Sequence, residues 1–172
     1  MNAYSMHSAS EVQPSVIAEM HDLPHVARQL NKPTIDDIER RSQRASSRDF
    51  VAMTSDGQAV GLLLLNRVDS WIYEILRIVA VREHEGIGSF MLGWALHYAF
   101  DVNKAHRAFL EVPEQNTRAR RLYESFGFLQ EGTYRDGFRS PISGRFENLC
   151  PYGLLESDYY RRIAAANQTF QG

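Results

Sequence analysis

Two glycines at alternate positions, Gly86 and Gly88, stand in the run Arg82-Glu83-His84-Glu85-Gly86-Ile87-Gly88-Ser89, between strand character ending at Val81 and helix character beyond. Such a junction lets the backbone approach a ligand closely, and its free amides plus the helix dipole favour an anion such as a pyrophosphate. A tight turn with glycines for packing explains the same residues. A dinucleotide-binding turn needs a third glycine three residues after the second, and Met91 stands there, which counts against that fold. Glu74 is an acidic residue inside an otherwise apolar strand run, either a base or a solvent-facing edge residue. Asn116 opens a later helix, where an N-cap is the ordinary role, and Tyr123 follows on the same face. Cys150 has no His near it in sequence to make it a nucleophile, and His84, His97 and His106 read as structural.

The elements that carry these residues follow from periodicity and turn chemistry. Val16 to Ala18 is a short apolar run with the look of a strand, and Leu23, Val26, Ala27 and Leu30 then share one helical face. Thr34 with Asp37 resembles a capping box, which predicts a second helix to about Ala45. Phe50–Thr54 and Ala59–Val68 are apolar runs joined through Asp56-Gly57, a hairpin signal, and Trp71–Val81 is a third strand. A helix apolar on most sides is expected from Gly86 to about Asn103, so it is buried against a sheet. His106–Val112 returns to strand character, and Asn116 opens a helix through Phe126 that stops at Gly127. Phe128–Phe138 and Arg145–Leu155 complete the chain as two strands around a turn with Pro141, Ser143 and Gly144. The predicted fold class is α+β: a mixed, mostly antiparallel sheet of six or seven strands with helices on both faces.

Composition bounds the chemistry. A chain of 172 residues, 44% hydrophobic and 23% charged, fits one globular domain. The formal charge of -2 provides no basic field for nucleic acid or anionic lipid. The single cysteine and the lack of paired Cys/His spacing lead to the expectation of a cytoplasmic, metal-free protein. Residues 1–13 have neither a basic start nor an apolar core, so no signal peptide is expected, and no apolar run approaches membrane-spanning length. The organisation expected is a flexible tail over 1–13, one domain over 14–160 and a C-terminal tail over 161–172.

The spacing of Ala105-His106-Arg107, Leu110-Glu111-Val112, Asn116-Thr117-Arg118-Ala119, Leu122-Tyr123-Glu124, Gly127-Phe128 and Glu131-Gly132 closely resembles that of the GNAT superfamily of acetyl-CoA-dependent N-acetyltransferases. The Asn-x-x-Ala-x-x-Leu-Tyr-x-x-x-Gly-Phe run is the most specific part. The likeness covers roughly Val16 to Tyr159 and is closer to the branch that includes the ribosomal-protein N-terminal acetyltransferases, whose last strand is similar to Arg145–Glu156.

The resemblance implies that acetyl-CoA lies in a V where the strand ending near Val81 splays from the strand beginning near Arg107. Backbone groups of Leu76, Ile78 and Val79 would hold the pantetheine and the acetyl carbonyl. The amides of Glu83, His84, Glu85, Gly86, Ile87, Gly88 and Ser89 would hold the pyrophosphate, with Asn116 and Arg121 beside it. Where the family usually has Gln or Arg and then a small residue before the glycines, this chain has Glu83, His84 and Glu85; the two carboxylates must point away from the phosphates, with Arg82, Arg118, Arg120 or Arg121 compensating. Tyr123 would donate a proton to the CoA sulfur, and Glu74 is the first candidate for base, with Glu111 second. The acceptor would be a primary amine on a peptide or small molecule, and Asp36, Asp37 and Glu39 are the carboxylates a polyamine would use unless they serve the helix dipole. A homodimer is left open. The alternative is a non-catalytic CoA-binding or protein-interaction module on the same fold.

Overall fold

The computed structural model describes residues 4–27 and 33–169. Tyr4–Ser8, set aside by sequence as part of a tail, forms the first strand, β1, paired antiparallel with β2 (Ser47–Thr54). Its place is fixed by packing: the Tyr4 ring lies 5.5 Å from that of Phe90, and the Tyr4 hydroxyl donates to the Glu85 carbonyl at 3.3 Å. The short run Val16–Ala18 is helical, inside α1 (Pro14–His21). Pro14 at the first turn has the φ a helix needs, and Ile17, Met20 and His21 are buried together at i, i+3 and i+4, a pattern three apolar residues alone do not show. α2 (Pro24–Ala27) follows; Leu30, expected on its apolar face, lies outside the described residues. α3 (Ile35–Ser42) begins with the expected capping box, in which the Thr34 hydroxyl oxygen accepts from the Asp37 amide and the Asp37 carboxylate accepts from the Thr34 amide.

β2 turns through Asp56 and Gly57, the latter at φ 83°, into β3 (Ala59–Arg67), which pairs with β4 (Ile72–Ala80). α4 (Ile87–Leu96) leads into a π-helical turn, His97–Val102, closed by the Asn103 amide on the Tyr98 carbonyl five residues back. The expected buried helix therefore exists, with a widened last turn. β5 (Arg107–Pro113) runs parallel to β4, and α5 (Thr117–Ser125) ends at Gly127, φ 92°. The single strand expected over Phe128–Phe138 is two: β6 (Leu129–Gln130) and β7 (Tyr134–Arg139), both paired with β8 (Phe146–Leu155). A break at 131–133 separates them, and Asp136 at φ 53° adds a register slip in β7. α6 (Glu156–Thr169) occupies most of the stretch expected as a tail, and its Tyr159 ring stacks on Phe100 at 4.8 Å.

The sheet has eight strands in the order β1-β2-β3-β4-β5-β8-β6, with β7 also on β8. Among the described residues only β4 with β5 is a parallel pair. One face packs on α4 and α5 through Leu63, Leu65, Met91, Leu92 and Phe100, and the other on α1 to α3 through Ile17, Met20, Leu62, Leu64 and Val79. α4 sits close on β3: a Cβ on Gly61 would come within 2.8 Å of the Met91 side chain. No helix among the described residues is long and apolar enough to cross a membrane.

Candidate active site

β4 does not keep one face throughout. Its pairing with β3 slips between Leu65↔Ile75 and Leu64↔Arg77, so Leu76 is an extra residue in the ladder. Before this bulge, Tyr73 and Ile75 face α4; after it, Ile78 and Ala80 pack toward α4 while Val79 joins the core under α1. One inserted residue reverses the alternation. Arg77 is thereby turned to the α1 side, where its guanidinium donates to Nε2 of the buried His21 at 3.0 Å. A guanidinium only donates, so the His21 proton is on Nδ1, which donates to the Ile17 carbonyl at 2.9 Å.

The pairing of β4 with β5 ends at Glu74↔Phe109. Beyond it the strands part, and the β4 edge facing β5 carries backbone groups that no strand pairs. Between them lies a cleft of about 340 Å³. Leu76, Ile78 and Val79 line one wall; Glu111, Asn116, Arg118, Leu122 and Tyr123 line the other. Glu83, His84, Gly86, Ile87, Gly88 and Ser89 close its end. His25 of α2 caps the far end of the β4 edge, its ring donating to the Ala80 carbonyl at 2.8 Å.

At that end the loop turns sharply on two left-handed residues, His84 at φ 65° and Gly86 at φ 77°, and delivers the N-terminus of α4 to the cleft. Gly88 has room for a side chain within the protein itself, since a Cβ there would meet only Leu122 at 3.6 Å. Any requirement for glycine at 88 therefore comes from a ligand. The carboxylates that break the family pattern are drawn off by arginines: Glu83 is held by Arg118, and Glu85 lies 3.8 Å from Arg82. Arg121, expected beside the phosphates, is exposed and does not line the cleft, and neither does Glu85; Arg118, one helical turn earlier, lines it instead. Arg120 is committed elsewhere, to the Tyr152 hydroxyl at 3.1 Å and to Gln130. Asn116 is the N-cap of α5, its Oδ1 accepting from the Ala119 amide at 3.1 Å.

Tyr123 is half-buried against Phe128 and Tyr152, and burial pushes its phenol up to about 12. The group stays protonated at any ordinary pH. Glu74 does not line the cleft, but its Oε2 accepts from Asn66 at 2.6 Å, and Asn66 in turn accepts from Arg41 of α3 at 2.8 Å. Arg41 also grips Asp49 through Nε and a terminal nitrogen at 2.7–3.1 Å. Glu111 sits across the splay, its carboxyl raised by burial and by the charge of Glu74.

A second cavity of about 470 Å³ opens on the α1 and α3 side and shares Leu76 and Arg77 with the first. Four arginines, Arg40, Arg41, Arg44 and Arg77, line it against Asp37, Glu39 and Asp49. Asp37 is taken by its capping role and by Arg40 at 2.7 Å, while Glu39 lines the cavity. Sequence reasoning passed over Arg77, although a charged residue in an apolar strand was the signal already used for Glu74. Among the described residues no cluster of three His, Cys, Asp or Glu is placed to hold a metal ion.

Residues 17–128 match the Acetyltransferase (GNAT) family. A spermidine N(1)-acetyltransferase of Vibrio cholerae serotype O1 is 30% identical over 136 residues, 77% of this chain and 72% of that protein. The solved spermidine N-acetyltransferase from Vibrio cholerae in complex with CoA and spermine is similar at a TM-score of 0.79 and 22% identity, covering 91% of this chain and 98% of that one. A dodecameric structure of spermidine N-acetyltransferase from Vibrio cholerae is similar at 0.78 and 21% identity, over 92% and 97% of the two chains. These solved structures speak to the fold, which is the expected α+β architecture with eight strands in place of six or seven. The relatives carry polyamine names, not those of the ribosomal-protein branch that the sequence resembled.

Proposed function

From the premise that this chain belongs to the Acetyltransferase (GNAT) family and takes its acetyl group from acetyl-CoA, we propose that it acetylates a small primary amine by direct attack in a ternary complex. The observation that carries the reading is the cleft itself: a β4 edge freed by the splay, ending on the glycine loop and the α4 N-terminus. Acetyl-CoA lies along that edge, with its pantetheine amides on the backbone of Leu76, Ile78 and Val79 as an added strand would be, and its pyrophosphate on the amides of 83–89. Arg82 and Arg118 both line the cleft, and Arg118 is released from Glu83 when phosphate competes for it.

The neutral amine attacks the thioester carbon from the second cavity, the C–N bond forms, and the carbonyl becomes an oxyanion. The C–S bond then breaks, the nitrogen's extra proton passes to Glu74 or Glu111, directly or through water, and the sulfur leaves as a thiolate to which Tyr123 donates. With a phenol near 12 and an ordinary thiol near about 8.5, full proton transfer to sulfur is uphill, so Tyr123 acts as a hydrogen-bond donor to the developing charge. The relative's name supports spermidine as an acceptor to test, and a cavity walled by α1, α3 and the sheet supports a small molecule over a peptide N-terminus.

Calorimetric titration with acetyl-CoA, followed by thiol release across polyamines, diamines, amino acids and short peptides, tests this. Binding together with turnover of a small amine is expected; no binding at millimolar acetyl-CoA would overturn the reading, and a preference for peptide N-termini would overturn the acceptor class.

A further inference from the structure

Arg77 stands where the two cavities meet, on the face that also carries Glu74 and Glu111. Its Nε is buried and makes no hydrogen bond, and its only hydrogen-bond partner among the described residues is the neutral imidazole of His21. No carboxylate among the described residues pairs with it, whereas Arg41 and Arg40 of the same cavity have theirs. A buried guanidinium edge with a donor unsatisfied is costly unless a ligand completes it, and the group that fits two parallel N–H bonds is a carboxylate. The remaining charge of the cavity points the same way. Among the described residues that line the second cavity, Asp49 and Asp37 are already paired and Arg77 and Arg44 are left with Glu39, so the far end of an acceptor meets more positive than negative charge there.

We propose that the acceptor is an amine that also bears a carboxylate, which Arg77 receives at the mouth of the second cavity while the amine lies between the Leu76 bulge and the two glutamates. The inference rests on the acetyl-transfer reading above and narrows its substrate class. The bulge is what makes this work: without the extra residue, Arg77 would point into the apolar core under α4.

Matched pairs of acceptors that differ only in the carboxylate test it: ornithine against putrescine, and lysine against cadaverine, with spermidine alongside. Thiol release with acetyl-CoA is expected to give the carboxylate-bearing member at least tenfold higher kcat/KM. Arg77→Met, which replaces a part-buried cation by an apolar chain of similar length, should collapse that ratio toward one by raising the KM of the amino acid, and Arg77→Lys should restore part of it. Equal or better turnover of the diamines or spermidine by the unaltered protein overturns the inference and leaves the acetyl-transfer reading standing. Calorimetric binding of the same pairs in the presence of CoA reads Arg77 without turnover. Tighter binding of the amino acid, lost in Arg77→Met, supports the proposal even with no acetylation, an outcome that would sink only the catalytic reading; equal binding of both members overturns it.

Discussion

Tyr123 is the residue at which environment and chemistry are most tightly joined. The phenol is lifted to about 12 by burial among Phe128, Tyr152 and the cleft wall, so it is protonated and able to donate from acid through alkaline conditions. The sign follows directly: below about 12 the donor is present, and only above it is the donor lost. kcat/KM should therefore rise with pH as the acceptor's ammonium loses its proton and should show no fall through pH 10. A fall with an apparent pKa near 10 would show that the hydroxyl is solvated rather than buried. Tyr123→Phe should leave acetyl-CoA affinity nearly unchanged and lower kcat by about two orders of magnitude, the scale of one hydrogen-bond donor to a developing charge. Full turnover by the variant removes Tyr123 from the mechanism. Glu74 has a different standing, because it is held by Asn66 and set back from the cleft, whereas Glu111 lines it.

Elements are held in register with the site by a few long-range contacts. α3 is tied to the sheet by Arg41, which bonds Asp49, Asn66 and the Leu65 carbonyl, with both charged side chains near one-eighth exposed at 13% and 12%. Arg41→Ala strands the Asp49 carboxylate in a dry site, and the expected cost is about 3–5 kcal/mol, read as a lowered thermal midpoint. Arg41→Met combined with Asp49→Leu should recover most of that loss, since neither charge is then left alone. A single variant as stable as the parent would mean that water reaches Asp49. The network continues through Asn66 to Glu74, so Arg41→Ala also loosens the carboxylate beside the splay. β1 makes a comparable tie at the other end of the cleft, where Tyr4 holds the backbone of the loop at Glu85.

For the whole molecule, ligand and fold should be coupled by mass action. At acetyl-CoA one hundred times its dissociation constant, the native state gains about 2.7 kcal/mol, which for a domain of this size is a rise of about 5–10 °C in Tm. Gly88→Ala supplies the control. A Cβ there meets only Leu122 at an ordinary 3.6 Å, and alanine suits a helix better than glycine, so the free protein should be no less stable. In the proposed binding mode the same methyl intrudes on the pyrophosphate, so the ligand-induced rise should shrink or vanish. An undiminished rise in the variant would place the pyrophosphate somewhere other than the first turn of α4.

Local chemistry was legible in the chain without its fold. The Asp56-Gly57 hairpin, the Thr34 capping box, the glycine junction at 86–88 and the Asn116-to-Gly127 helix each rest on neighbours within a few residues, and each stands where its residues said. The Leu76 bulge was not legible, because Ile72 to Ala80 is nearly apolar throughout and reads alike with or without an extra residue. Yet that bulge decides which way Arg77 faces. Nor could spacing show that Glu83 is held by Arg118, 35 residues on, or that Tyr4 to Ser8 completes a sheet edge against β2. Those pairings depend on which surfaces the packed core brings together. Sequence determined the elements whose signals lie within a few residues of one another; the tertiary structure decided the strand at 4–8, the helix at 14–21, the split of β6 from β7 and the partner of each charge, since those are set by distance in space.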